Sequence, residues 1–138
     1  MRKPEQRLWD RMRKAIGRDV YLERIENLVT VGMPDVMVTV NGRVGFVELK
    51  SVEKFPAKFS TKVLGDQKGL SIAQRNWHKS FRRAGGWSFV LVGVGSFDIF
   101  IFDSAFVDEV NNFTKSDFTT NSIGWEFEHL IPLMKEGR

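Results

Sequence analysis

The chain has 138 residues, 42% hydrophobic and 12% aromatic, which suits one globular domain with a real core and excludes a disordered chain. It holds no cysteine, which excludes disulfides and Cys-ligated zinc, and its two isolated histidines, His78 and His129, argue against a His-rich metal site. A net charge of +4 is a weak pointer to a polyanionic partner, and with no apolar run of the roughly 18 residues a membrane span needs, a soluble, cytoplasmic protein is expected.

Pro4 to Gly17 reads as a first helix, with Pro in the first turn and Gly as the stop. At 100° per residue Leu8, Trp9, Met12 and Ile16 share one face, and Glu5 falls on it too. Arg7, Arg11, Lys14 and Arg18 line the opposite side, as either a solvated face or a set of phosphate contacts. Tyr21 to Val31 is apolar enough for a strand, with a break near Glu26 and Asn27. Gly32 and Pro34 then punctuate the chain.

Gly32 to Lys50 (GMPDVMVTVNGRVGFVELK) is the most informative stretch. Two alternating apolar runs, Val36 to Val40 and Val44 to Leu49, flank Asn41-Gly42, the signature of a hairpin with a two-residue type I′ turn. That turn sets Val40 opposite Arg43 and therefore Asp35 opposite Glu48, with Lys50 on the same face and Leu49 on the other. A three-residue bulged loop would instead shift the register by one and separate the two acids. Two carboxylates roughly 4.5–5.5 Å apart at Cβ repel each other. A hard divalent cation resolves the conflict, because Mg²⁺ takes one or two carboxylates and keeps waters for substrate oxygens.

Ser51 to Gly69 loses regular patterning and carries Lys54, Lys58, Lys62 and Lys68 around Phe55 and Phe59. It reads as a mobile loop, or a short helix and a loop, either solvated or following a nucleic-acid backbone. Ser71 to Ala84 reads as a second helix, N-capped by Ser71 and stopped by Gly85-Gly86. Ala73, Trp77, Phe81 and Ala84 form its apolar stripe. Arg75, Lys79, Arg82 and Arg83 cover the other side, and Gln74 and His78 sit on the border. Trp87 to Val94 and Phe97 to Phe102 read as buried strands joined by a tight turn at Gly95-Ser96. Residues 103–122 are polar and turn-rich. A last helix is expected around Trp125 to Lys135, shortened or kinked by Pro132.

This order predicts an α/β fold, a mixed central β-sheet flanked by helices, in a single domain with its core at about 5–103 and a C-terminal extension at 104–138. The chemistry implied by Asp35, Glu48 and Lys50 is metal-assisted phosphodiester hydrolysis. The ion neutralises developing phosphoryl charge, and the Lys50 ammonium stands near the attacking water or a phosphate oxygen.

Pro34-Asp35 and, after twelve intervening residues, Glu48-Leu49-Lys50 resemble the signature of the PD-(D/E)XK nuclease superfamily. With Gly32, the helix LSIAQRNWHKSFRRAGG and the strand WSFVLVGV, the stretch from about Glu5 to Val94 looks like its VRR-NUC and Holliday-junction-resolvase branches, including small bacteriophage-encoded forms. The resemblance implies an α-β-β-β-α-β restriction-endonuclease-like core. It also implies Mg²⁺ or Mn²⁺ held by Asp35, Glu48 and the Leu49 carbonyl, with Lys50 catalytic and Gln74 near the site. A further glutamate from the first helix is Glu5, with Glu26 as rival. The implied activity is endonucleolytic cutting of DNA to 5′-phosphate products. Resolvase relatives act on branched DNA as symmetric homodimers, without organic cofactor. The basic residues expected to contact DNA are Arg7, Arg11, Lys14, Lys54, Lys58, Lys62, Arg75 and Lys79. A sequence-specific restriction-like nuclease and a non-catalytic nucleic-acid-binding module are the alternatives.

Overall fold

The computed structural model describes residues 3–17, 19–25 and 30–136. A five-stranded sheet forms its centre: β1 (Val20–Arg24), β2 (Val36–Val40), β3 (Arg43–Val52), β4 (Trp87–Val94) and β5 (Asp98–Asp103), lying side by side in that order. All neighbours are antiparallel except β3 and β4, which run parallel. A parallel pair needs a long crossover, and the segment holding α2 (Gly65–Lys68) and α3 (Ile72–Arg83) supplies it. Helix α1 (Lys3–Ala15) precedes the sheet, and α4 (Lys115–Asn121) and α5 (Leu130–Glu136) follow it. This is a mixed sheet flanked by helices, the α/β fold expected from the element order, and it is consistent with the restriction-endonuclease-like core that the resemblance implies. No helix among the described residues is long and apolar enough to cross a membrane.

The β2–β3 hairpin has the expected register. Val40 pairs with Arg43 and Val36 with Val47. Asn41 and Gly42 have φ of 52° and 79°, as a type I′ turn requires. The alternation then sorts the side chains. Val36, Val38, Val40, Val47 and Leu49 face one side of the sheet, where Leu8, Trp9 and Met12 of α1 and Ile16 just after it cover them together with Leu130 and Met134 of α5. Glu48, Lys50 and Val52 belong to the other side. There Val90, Val92 and Phe102 are covered by Val63, Leu64 and Leu70 from the crossover and by Val110, Phe113 and Phe118.

Four segments depart from or refine what the sequence predicts. Of the two readings for 51–69, a short helix and a loop holds, with α2 as the helix, and the loop is not free. Strand β3 runs on to Val52, and Val63, Leu64 and Leu70 are buried, with the Val63 N–H donating to the Phe113 carbonyl. Between β4 and β5 the turn has three residues, because Val94 pairs with Asp98; Phe97 is in the turn and 88% exposed, not in a strand. In α3 the fully buried residue is His78, while Trp77 and Phe81 are half-buried against Phe46 of β3, at ring separations of 5.3 and 5.2 Å. Finally, the last helix is shorter than Trp125 to Lys135, one of the two outcomes expected there. Phe127–His129 form a 3₁₀ turn and α5 starts at Leu130, so Pro132 occupies the first turn, where no backbone donor is lost.

Candidate active site

Asp35, Glu48 and Lys50 meet on the α3 side of the hairpin. Asp35 stands one residue before β2, and its backbone carbonyl accepts from the Ile25 N–H at 2.7 Å. Gly32 makes that approach possible. It has φ of +86°, and a Cβ there would lie 2.3 Å from the Ala73 carbonyl oxygen, so only glycine lets this turn pack on α3. Oδ2 of Asp35 accepts from the Leu49 N–H at 2.8 Å, tying the carboxylate to β3 across the end of the hairpin.

Glu48 is 1% exposed, between the buried Val47 and Leu49 of β3. A buried carboxylate needs partners, and α3 provides them from residues one turn apart. Nε2 of Gln74 donates to Oε2 of Glu48 at 3.2 Å, and His78 Nε2 lies 3.2 Å from Oε1. Oε1 of Gln74 in turn accepts from the Lys50 ammonium at 3.1 Å and from the Ser71 N–H at 2.9 Å. Ser71 caps α3 in a capping box with Gln74, so the residue that starts the helix also joins Glu48 to Lys50. The start of α3 is fixed from the C-terminal third, where buried Asn111 accepts from the Leu70 N–H at 2.7 Å and donates to the Leu70 carbonyl at 2.9 Å. On its far side the His78 ring meets buried Ser88, with Nδ1 2.9 Å from the hydroxyl.

The electrostatics match a site short of positive charge. Burial, with the Glu48 charge adding to it, pushes the Asp35 carboxyl up to about 7 despite the Leu49 hydrogen bond. Burial pushes Glu48 up to about 7 as well, against the pull of Lys50 and a hydrogen bond from Asp35, and the Glu5 charge adds to the rise. Glu5, half-buried at the start of α1, is thus close enough to act on the site; Glu26 lies outside the described residues, as does Arg18. Burial lowers His78 to about 4, so the ring is neutral.

Among the described residues no three His, Cys, Asp or Glu side chains group to hold a metal. The donor set on offer is two carboxylates, completed only by backbone oxygens and water. That suits a hard, partly hydrated cation such as Mg²⁺ or Mn²⁺ and does not suit zinc. Two buried carboxyls whose burial and mutual repulsion push them up to about 7 are what a cation would relieve.

Beyond Lys50 and Ser51 a cavity of about 530 Å³ opens between α1, the end of β3, α2 and the β4–β5 turn. Arg7, Arg11 and Lys68 line it, against the single acid Glu53. Lys14, Lys54, Lys58 and Lys62 are exposed, whereas Arg75 is half-buried and Lys79 is ion-paired with Asp108 at 3.0 Å. Sequence reasoning missed Ser88, Asn111 and the burial of His78. A serine inside the apolar run WSFVLVGV was the available signal, because a buried hydroxyl needs a partner.

No family model matches the sequence, and no curated protein matches it. In three dimensions the chain is similar to the 1.6 Å structure of Hjc from Archaeoglobus fulgidus, a Holliday junction resolvase from an archaeal hyperthermophile. The TM-score is 0.58 at 14% identity, over 87% of this chain and 93% of that one. At that distance the shared property is the fold: a restriction-endonuclease-like α/β core, held in common with a Holliday junction resolvase.

Proposed function

We propose that this chain is a Mg²⁺- or Mn²⁺-dependent endonuclease that hydrolyses phosphodiester bonds in DNA, with branched or junction DNA as its substrate and a homodimer as its working form. The observation that carries the reading is that Gln74 bonds both Glu48 and Lys50 while the Leu49 N–H holds the Asp35 carboxylate to the same strand beside them. Asp35, Glu48 and the Leu49 carbonyl would hold the ion. The ion's contribution when bound is to neutralise phosphoryl charge and acidify a water. Lys50 orients that water or a phosphate oxygen with its ammonium, and Gln74 fixes where the ammonium sits. Glu5 adds negative charge on the α1 side.

Arg7, Arg11 and Lys68 are suited to the DNA backbone beside the cut, with Lys14, Lys54, Lys58 and Lys62 extending the contact and Arg75 and Lys79 at its edge. The fold shared with a junction resolvase supports the choice of branched DNA. The test is cleavage of four-way junction, flap, nicked and linear duplex DNA in Mg²⁺ and in Mn²⁺. Metal-dependent cutting of the junction with the linear duplex spared is expected. Site-specific cutting of linear duplex would mark a restriction-like enzyme instead, and binding without cleavage of any substrate would mark a non-catalytic module.

A further inference from the structure

His78 is 0% exposed, is used by nothing in the chemistry above, and has both ring nitrogens engaged. A neutral imidazole carries one N–H, so its two contacts are not independent. Facing the ionised carboxylate, the form that binds a cation, Nε2 must be the donor; Nδ1 is then an acceptor, and the Ser88 hydroxyl, itself buried, donates to it. The order Ser88 to His78 to Glu48 therefore has one satisfied arrangement. It links β4, α3 and β3, the rigid centre of the sheet and the helix over it.

We infer that Ser88 and His78 are positioning residues for Glu48. The serine hydroxyl selects the tautomer, and the Nε2–H holds Oε1 so that the carboxylate presents its free lone pairs towards Asp35. The inference rests on Asp35 and Glu48 being the cation site proposed above. Gln74 grips the other oxygen at 3.2 Å, so Glu48 is clamped from both sides on one helix, at positions four residues apart. A carboxylate clamped in this way loses little freedom when an ion binds. Partners of metal ligands commonly contribute about 10- to 100-fold in affinity.

Two near-isosteric variants separate positioning from simple packing. The amide nitrogen of His78→Gln reaches where Nε2 stands and keeps the donor to Glu48; that of His78→Asn reaches only where Nδ1 stands, towards Ser88. Mn²⁺ affinity is measured by electron paramagnetic resonance of free ion, on protein whose fold is checked by circular dichroism. Wild-type protein and His78→Gln are expected to agree within about threefold, and His78→Asn to bind roughly 10- to 100-fold more weakly. Ser88→Ala, a smaller change, is expected to weaken binding a few-fold at unchanged fold. Equal affinity in the Gln and Asn variants, or no loss in Ser88→Ala, overturns the positioning role while leaving the cation site standing. A wild-type protein that takes up no Mn²⁺ overturns both.

Discussion

Asp35→Asn isolates the electrostatic conflict at the centre of the site. The Asp35 carboxyl has its pKa raised from 3.8 to about 7, chiefly by burial and then by Glu48. Between those values the folded protein binds protons that the unfolded chain releases, so stability falls as pH rises through that window. Three pKa units at 1.36 kcal/mol each set a ceiling of about 4 kcal/mol above pH 7. Asparagine keeps the oxygen that accepts from the Leu49 N–H, carries no charge, and can donate to Glu48. Its burial still costs something, and Glu48 remains, so we expect about half the ceiling, about 2 kcal/mol. For a domain of this size that raises Tm by about 6 °C at pH 8 without metal. The gain should shrink towards zero below pH 4, as the wild-type carboxyl becomes protonated in both states. The same variant should lose cleavage and lose any Mn²⁺-dependent rise in Tm. Thermal melts of both proteins from pH 3 to pH 8 with chelator decide it. A difference that does not depend on pH would refute the claim that Asp35 is buried beside a like charge.

Lys50→Met should lower the cleavage rate by at least about 100-fold while leaving Mn²⁺ and DNA affinities within about threefold, in single-turnover kinetics and binding titrations. Arg7→Ala combined with Arg11→Ala should weaken DNA binding and reduce the slope of log affinity against log salt by about 2, and an unchanged slope would make both arginines merely solvated. Gly32→Ala should lower stability by about 3 kcal/mol in denaturant melts, because its Cβ meets the Ala73 carbonyl at 2.3 Å and its φ is +86°.

The hairpin was legible because its determinants are local. Asn41-Gly42 selects the turn, the turn sets the register, and the register puts Asp35 opposite Glu48 with Lys50 on the same face. Helix α3 was legible in extent but not in rotation. Periodicity assigns the buried face to the most apolar stripe, Ala73, Trp77 and Phe81, whereas the helix turns His78 inward and leaves Trp77 half-exposed. The cause lies on another element: a buried carboxylate on β3 needs donors above it, and Gln74 and His78 are those donors. The last third was opaque for a related reason. Val107, Val110, Phe113 and Phe118 come from short turns without repeat, and only the sheet face they cover explains their burial. Asn111, which pins Leu70 ahead of the α3 cap, has no local signal at all.

The most direct measurement is anomalous diffraction from crystals soaked in Mn²⁺. A single strong peak between the Asp35 and Glu48 carboxylates, within about 2.0–2.6 Å of an oxygen from each and lost in Asp35→Asn, is expected. Carboxylates turned apart, or Mn²⁺ bound elsewhere with that gap empty, would contradict a shared cation site.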